Sequence, residues 1–109
     1  MKFDVRVSAT FKKQAKRLIK KFPSLKHELD ELVNSLESDP KLGKPIGQDC
    51  FKIRLIIASK KKGKSGGARI ITHLHIIKNT VYLLTIYNKS EQSKISEKEL
   101  RELLHAIYE

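Results

Sequence analysis

The first half of the chain shows the apolar spacing of a short strand followed by two helices. Apolar and polar residues alternate from Lys2 to Val7, which predicts a strand. Helical spacing then follows twice, on either side of Pro23. Because almost nothing joins the two helices, we expect an antiparallel hairpin, with Ser8 or Thr10 as the cap of its first helix. The apolar stripes of the two helices are Phe11, Ala15, Leu18, Ile19 and Phe22, then Leu25, Leu29, Leu32, Val33 and Leu36.

The second half of the chain changes to the period of strands. A stretch rich in Pro and Gly, from Asp39 to Gly47, predicts a loop. The capping pattern of Ser96 and Glu99 predicts a final helix. Between the loop and this helix, alternation predicts antiparallel strands at Phe51–Ile57, Ala68–Ile77 and Val81–Asn88. The apolar stripe of the final helix is Leu100, Leu103, Leu104 and Ile107.

These elements predict one α+β domain over residues 1–109, since this length allows a single domain. The N-terminal strand should join the edge of a twisted sheet, and the helices should pack on one face of it. The side chains expected to face the helices are Phe51, Ile53, Leu55, Ile70, Leu74, Ile76, Leu84 and Ile86. The opposite, open face is expected to carry Lys52, Arg54, Arg69, His73, His75, Thr85 and Tyr87. Such a face indicates RNA or phosphate chemistry.

Positive charge is concentrated in one segment. The chain has 23 Lys and Arg against 12 Asp and Glu, a formal net charge of +11. The segment from Cys50 to Ser90 contains nine Lys and Arg and no Asp or Glu. Because a segment of one sign attracts anions, we expect a negatively charged partner, with nucleic acid as the first candidate and an acidic protein as the second.

Composition excludes several other classes of protein. No apolar run approaches the roughly 18 residues that span a bilayer, and the N-terminus lacks a secretory pattern. The single cysteine, Cys50, excludes an internal disulfide, and we expect it to be a small buried residue. The expectation is a soluble, cytoplasmic protein that uses no cofactor and no metal.

The basic loop between two predicted strands resembles a phosphate-binding loop at residues 58–65. That motif works where the loop enters a helix, and here a strand pattern follows, so we reject nucleotide binding. A basic hairpin loop that holds a nucleic-acid backbone is the better hypothesis, and a merely solvated turn is the alternative. The lysines concerned are Lys60, Lys61, Lys62 and Lys64.

Three side chains of the strands carry further candidate chemistry. His73 and His75 lie two positions apart, so both project to the same face. A catalytic zinc would need a third ligand, and the sequence nearby offers no carboxylate. Proton transfer by one histidine is the functional hypothesis, and an ordinary half-exposed pair is the alternative. Tyr87 is a candidate for stacking on a base, with cross-strand packing as its alternative.

Taken together, several segments resemble the RelE/ParE superfamily of bacterial type II toxins, and the RelE/HigB branch most closely. The resemblance spans essentially the whole chain and depends on the order of its motifs. These are the hairpin ending in Phe22-Pro23-Ser24-Leu25, the Pro-Gly loop, Phe51-Lys52-Ile53-Arg54-Leu55, residues Gly63 to Ile71, and Tyr87-Asn88-Lys89-Ser90-Glu91.

The resemblance implies a ribosome-dependent mRNA endonuclease that cleaves without a metal by attack of the 2′-hydroxyl, and that a cognate antitoxin neutralises. It implies that Arg69 stabilises the transition state beside a basic pair, Lys52 and Arg54, while Tyr87 and Lys89 position the RNA. Two positions depart from the RelE pattern. Ser90 stands where RelE has an arginine, and Ser96 falls where RelE has a tyrosine. Candidates to substitute for these are Tyr87, His73 and His75.

Two other functions are compatible with the same pattern. A ParE-like inhibitor of DNA gyrase would share the fold, bind a protein and cleave nothing. A non-catalytic RNA-binding module would bind RNA in a salt-dependent manner without cleavage or toxicity. The superfamily includes both nucleases and gyrase inhibitors, so the fold alone does not choose between them.

Overall fold

The computed structural model describes residues 2–58, 67–92 and 94–108. Its elements are β1 (Asp4–Val7), α1 (Ala9–Lys21), α2 (Leu25–Ser38), β2 (Lys44–Gly47), β3 (Cys50–Leu55), β4 (Ala68–His75), β5 (Thr80–Asn88) and α3 (Glu97–Tyr108). The strands form one sheet in the order β1-β5-β4-β3-β2. β1 lies parallel to β5 at one edge, and the remaining neighbours are antiparallel. The predicted α+β class and the edge position of the first strand are confirmed.

The helical hairpin forms because its apolar stripes cover one face of the sheet. Ser8 caps α1, since its Oγ accepts a hydrogen bond from the Phe11 amide at 3.0 Å. The same hydroxyl donates to the Leu84 carbonyl at 2.8 Å and so ties the start of the helix to β5. Burying each large side chain of such a core contributes about 1.5–3 kcal/mol. The main core includes Phe11, Leu18, Leu25, Leu29, Leu32 and Leu36 of the helices with Phe51, Ile53, Ile70, Leu74, Val81, Leu83 and Ile86 of the sheet.

The third helix packs on the opposite face of the sheet, where the sequence analysis placed an open surface. Leu100 of α3 is buried in a second core cluster, and Leu103, Leu104 and Ile107 pack against it. The sheet side of this cluster comprises Cys50, Ile71, Leu84 and Tyr87. Leu84 therefore faces α3 and not the helical hairpin. The physical reason is that neighbouring residues of a strand point to opposite faces of the sheet. Adjacent apolar pairs such as Ile70-Ile71 therefore place apolar side chains on both faces, and each face must be packed against a helix.

A β-bulge in β5 changes which side chains face the hairpin. Ile71 pairs with Thr85 but Thr72 pairs with Leu83, which leaves one extra residue in β5. Gln14 of α1 occupies this irregularity. Its side-chain oxygen accepts hydrogen bonds from the Thr85 hydroxyl at 2.9 Å and from the Ile86 amide at 3.0 Å. Thr85 thus lies on the α1 side, which corrects its predicted place on the open face.

The ends of the central hairpin differ from the prediction as well. β4 ends at His75, and Ile76 lies in the following turn. The side chain predicted to point into the core at Ile76 is 59% exposed. This is because the alternation of a strand assigns a face only while the chain remains extended.

The stretch predicted as a loop contains an edge strand, β2. Gln48 and Asp49 both have a φ of 56°, and Gly47 pairs with Cys50 across them. Two successive residues with positive φ are typical of a two-residue hairpin turn. The register places Lys44 opposite Lys52. The missed strand therefore brings another lysine beside the basic strand β3.

Gly43, at the start of β2, has a φ of 99° and approaches β3 closely. A Cβ at this position would lie 2.5 Å from the Lys52 carbonyl oxygen and 2.9 Å from Ile53 Cγ1. Gly43→Ala should therefore lower the free energy of unfolding by about 2–3 kcal/mol, measured by urea denaturation.

Gly47→Ala is the matched control for this prediction. Gly47 also has a positive φ, of 94°, but a Cβ there meets nothing within 4 Å. Its substitution should cost only about 1 kcal/mol, from backbone strain alone. Equal losses for the two variants would contradict the role given to the close approach at Gly43.

No helix within residues 2–58, 67–92 and 94–108 is long and apolar enough to cross a membrane.

Candidate cationic site

Among the described residues, five basic side chains line a cavity of about 300 Å³ at the β2 end of the sheet, which we call the cationic cavity. They come from three strands and from the turn after β5. Strand register explains their proximity, because Lys44 pairs with Lys52 and Arg54 pairs with Arg69. The lining residues are Lys44, Lys52, Arg54, Arg69 and Lys89.

Arg69 is the most deeply placed cation of the cavity. Arg69 is only 4% exposed, and its Nη1 donates a hydrogen bond to the Ala68 carbonyl at 3.2 Å. No carboxylate of the described residues forms an ion pair with any of the five lining cations. A buried charge without a counter-ion is costly, and a bound anion would offset that cost. The cavity is therefore suited to a phosphate or a carboxylate.

The backbone around the mouth of the cavity holds Lys89 in place. The Lys89 amide donates to the Gly67 carbonyl at 3.2 Å, which joins the turn after β5 to the start of β4. The Asn88 side chain accepts from the Ser90 amide at 3.2 Å and tightens this turn. Gly67 permits the arrangement, since a Cβ there would lie 2.5 Å from the Leu55 carbonyl oxygen.

Tyr87 is the register partner of Arg69 but does not line the cationic cavity. It is 5% exposed and packs in the second core cluster under α3. Its hydroxyl is buried and has no hydrogen-bond partner among the described residues. Burial raises the pKa of Tyr87, against the lowering effect of Arg69, so the phenol remains protonated at neutral pH. The protonated hydroxyl of Tyr87 could donate a hydrogen bond, but α3 covers the side chain and separates it from solvent.

The two candidate histidines lie at the other end of β4. His73 and His75 are four and six residues from Arg69, or about 13 Å and 20 Å along the strand. The structure therefore does not bring them to the cationic cavity. His73 Nε2 lies 2.6 Å from the Tyr108 hydroxyl, and the His75 ring contacts the Tyr108 ring edge-on at 5.2 Å. Both histidines thus pack against the last turn of α3.

Cys50 completes this histidine cluster. Its Sγ lies 3.5 Å from His73 Nδ1, and burial raises the pKa of the thiol to about 12. A thiol that stays protonated is a poor nucleophile and a poor metal ligand. This agrees with the expectation of a small buried residue. Across the described ranges, no three His, Cys, Asp or Glu residues are grouped so that they could hold a metal ion.

Acid should destabilise the fold through His73. Burial lowers the pKa of His73 below its ordinary value of 6.5, so the unfolded chain binds the proton more readily. Stability from this residue is full above pH 6.5 and is lost as the pH falls below it. We expect the free energy of unfolding to fall between pH 7 and pH 5 in urea titrations, and to fall less in His73→Gln.

His27→Gln is the control, because His27 is exposed on α2. This variant should keep the acid sensitivity of the unsubstituted protein. If His73→Gln and His27→Gln showed the same pH dependence, the buried imidazole would not be its source.

Lys44 was not predicted as a site residue, because its stretch was expected to be a loop. Lys44 belongs to β2, and the sequence carried no clear signal for this strand, because Gln48-Asp49 is not one of the dipeptides that mark a two-residue hairpin turn. The predicted nucleic-acid contacts at Lys60, Lys61, Lys62 and Lys64 lie outside the described residues.

Comparison with known proteins relates this fold to bacterial toxins. A variant of the E. coli toxin RelE in the free state superposes with a TM-score of 0.63 at 17% identity, over 85% of this chain and 90% of that one. A chain of the intact E. coli RelBE toxin–antitoxin complex gives a TM-score of 0.59 at 17% identity, over 77% of this chain and 93% of that one. A metal-bound toxin from Helicobacter pylori gives 0.52 at 21% identity, over 83% and 98%. No family model matches the sequence.

The structure thus has the fold of the RelE toxins, as the resemblance of the sequence predicted. In this chain the fold carries a cavity that five cations of the described residues line.

Proposed function

We propose that this protein is the toxin of a type II toxin–antitoxin system and acts in the cytoplasm as a ribosome-dependent mRNA endonuclease. The observation that carries the proposal is the cationic cavity, in which a nearly buried arginine lacks a carboxylate partner among the described residues. The RelE-like fold supports the same class of function. An RNA phosphate is the anion that would fit both features.

The proposed reaction is cleavage by transesterification within the RNA. The 2′-oxygen forms a bond to the adjacent phosphorus as its proton passes to a base. The bond from phosphorus to the 5′-oxygen breaks, and that oxygen takes up a proton. The products are a cyclic phosphate and a free 5′-hydroxyl. No step needs a metal ion.

The cavity would serve this reaction mainly through charge. Negative charge builds up on the non-bridging oxygens as the phosphorus becomes five-coordinate, and fixed cations stabilise it. Arg69 is placed for that role, because its guanidinium is held at the base of the cavity and can donate two parallel hydrogen bonds to a phosphate. Lys52 and Arg54 would hold the same phosphate, while Lys44 and Lys89 would hold its neighbours.

A cognate antitoxin would neutralise the toxin by covering this cavity. Five cations without carboxylate partners among the described residues call for an acidic segment in any protein that covers them. We therefore propose that the antitoxin segment lying over the cavity carries Asp and Glu.

Primer extension on a reporter mRNA in a purified translation system tests the proposed function. We expect new 5′ ends at codons in the ribosomal A site, and none in a parallel reaction without ribosomes. Chelation of divalent cations cannot be used as a control, because ribosomes need magnesium. Intact mRNA with continuing translation would contradict the proposal. A gyrase supercoiling assay on the same preparation would then test the alternative function.

A further inference from the structure

A second surface lies on the opposite side of the sheet from the cationic cavity. It is an apolar groove of about 430 Å³ between α1 and the end of β1, which we call the α1 groove. Its apolar lining comprises Val7, Phe11, Ala15 and Ile19. Val7, the last residue of the edge strand β1, is 50% exposed. On α1, Phe11 and Ala15 are buried in the main core and Ile19 is half-buried, so Val7 and Ile19 supply most of the exposed apolar surface of the groove.

A row of lysines borders the α1 groove along one side. Lys12, Lys16 and Lys20 follow one another at intervals of four residues, so they stand one above the other on the helix. None of them forms an ion pair with a described residue. By contrast, Arg17, on another face of α1, lies 3.4 Å from Glu91. Three unpaired lysines of α1 thus border the groove, whereas Lys13, which also lacks an ion pair among the described residues, lies outside it.

The dimensions of the groove fit one particular shape of partner. Phe11 and Ile19 are eight residues apart, which is about 12 Å along a helix axis. Two turns of a second helix would span this distance and place apolar side chains at positions i, i+4 and i+7 in the groove. The phosphates of an RNA could contact the lysines, but its charged backbone would not pack on the apolar residues that line the groove.

We propose that the α1 groove binds an amphipathic helix of a partner protein, with acidic residues flanking the apolar side of that helix. The apolar lining of the groove is the surface that the partner helix would bury, and the three lysines favour a partner with negative charge. Since α1 and the cationic cavity lie on opposite faces of the sheet, this helix could bind without covering the cavity. The inference does not depend on nuclease activity.

Selection from a display library of random amphipathic helical peptides against the immobilised full-length protein tests this proposal. We expect the enriched peptides to combine apolar residues at i, i+4 and i+7 with flanking Asp or Glu. Their binding should weaken at least tenfold in Ile19→Asp and at least fivefold in Lys16→Glu. Lys16 is exposed, so Lys16→Glu keeps the test valid if Ile19→Asp does not fold.

Lys13→Glu is the matched control, because Lys13 is exposed on the same helix but does not line the groove. It makes the same change of charge and should leave peptide binding unchanged. The proposal would be overturned if the enriched peptides bound Lys16→Glu as tightly as the unsubstituted protein, or if Lys52→Glu weakened their binding instead. Enrichment of basic or non-helical sequences alone would do so too. Failure here would leave the mRNA cleavage assay unaffected, so the two proposals can fail separately.

Discussion

Replacing Arg69 with alanine is expected to reduce mRNA cleavage by about 10²–10³-fold, the usual effect of removing one strong donor to a developing oxyanion. Of the described cations that line the cavity, only Arg69 is nearly buried, so its charge is the least screened by water among them. Its loss should lower the rate of the chemical step more than the affinity for RNA. Single-turnover cleavage on stalled ribosomes, at saturating and at limiting toxin, separates these two effects.

Arg6→Ala is the control for this prediction. Arg6 lies on β1, at the edge of the sheet farthest from β2, and pairs with Asp4 at 3.3 Å. The same substitution there should leave cleavage within twofold of the unsubstituted protein. Arg69→Gln provides a second test, because it keeps most of the side-chain volume while removing the charge. Normal cleavage by a folded Arg69→Gln would remove the central role given to Arg69.

Binding of single-stranded RNA should depend steeply on salt. Each phosphate contact contributes about −0.7 to the slope of log K against log salt concentration for single strands. If all five cations of the cavity contact phosphates, the slope is about −3.5, and affinity falls about 100-fold between 50 and 200 mM salt. Fluorescence anisotropy with a labelled oligonucleotide measures this slope directly.

Single lysine substitutions show how much each residue contributes to this salt dependence. Lys52→Ala should reduce its magnitude by about 0.7, whereas Lys26→Ala on α2 should not change it. A slope steeper than −3.5 would show that further cations contact the RNA, and Lys60, Lys61, Lys62 and Lys64 are the first candidates. A slope near zero, or one that Lys52→Ala does not alter, would mean that the cavity does not hold RNA phosphates.

Local patterns were enough to predict most of the elements, because each is decided by residues a few positions apart. The stripe from Phe11 to Phe22, the cap at Ser8 and the cap at Ser96 are confirmed in α1 and α3. The Glu99 amide donates to Ser96 Oγ at 3.1 Å, as the capping pattern predicted. The predicted edge position of β1 is confirmed as well.

Several features of the site depend on how distant elements meet. The sequence placed Lys52, Arg54 and Arg69 on one face correctly, since alternation along two strands assigns it. It did not predict that Lys44 would join them, because β2 exists only when it pairs with β3. Nor did it predict that Tyr87 would be covered, because that depends on where α3 packs.

The sequence by itself determined the helical hairpin, the three main strands and the segment that carries the positive charge. These follow from the spacing of apolar residues and from counting charges. Only the tertiary structure decided which cations share a cavity, that α3 covers Tyr87 and the histidines, and that a bulge turns Thr85 toward α1. Packing between elements far apart in sequence decides such features. The register of strands and the cover of each sheet face come from long-range contacts, which no local pattern encodes.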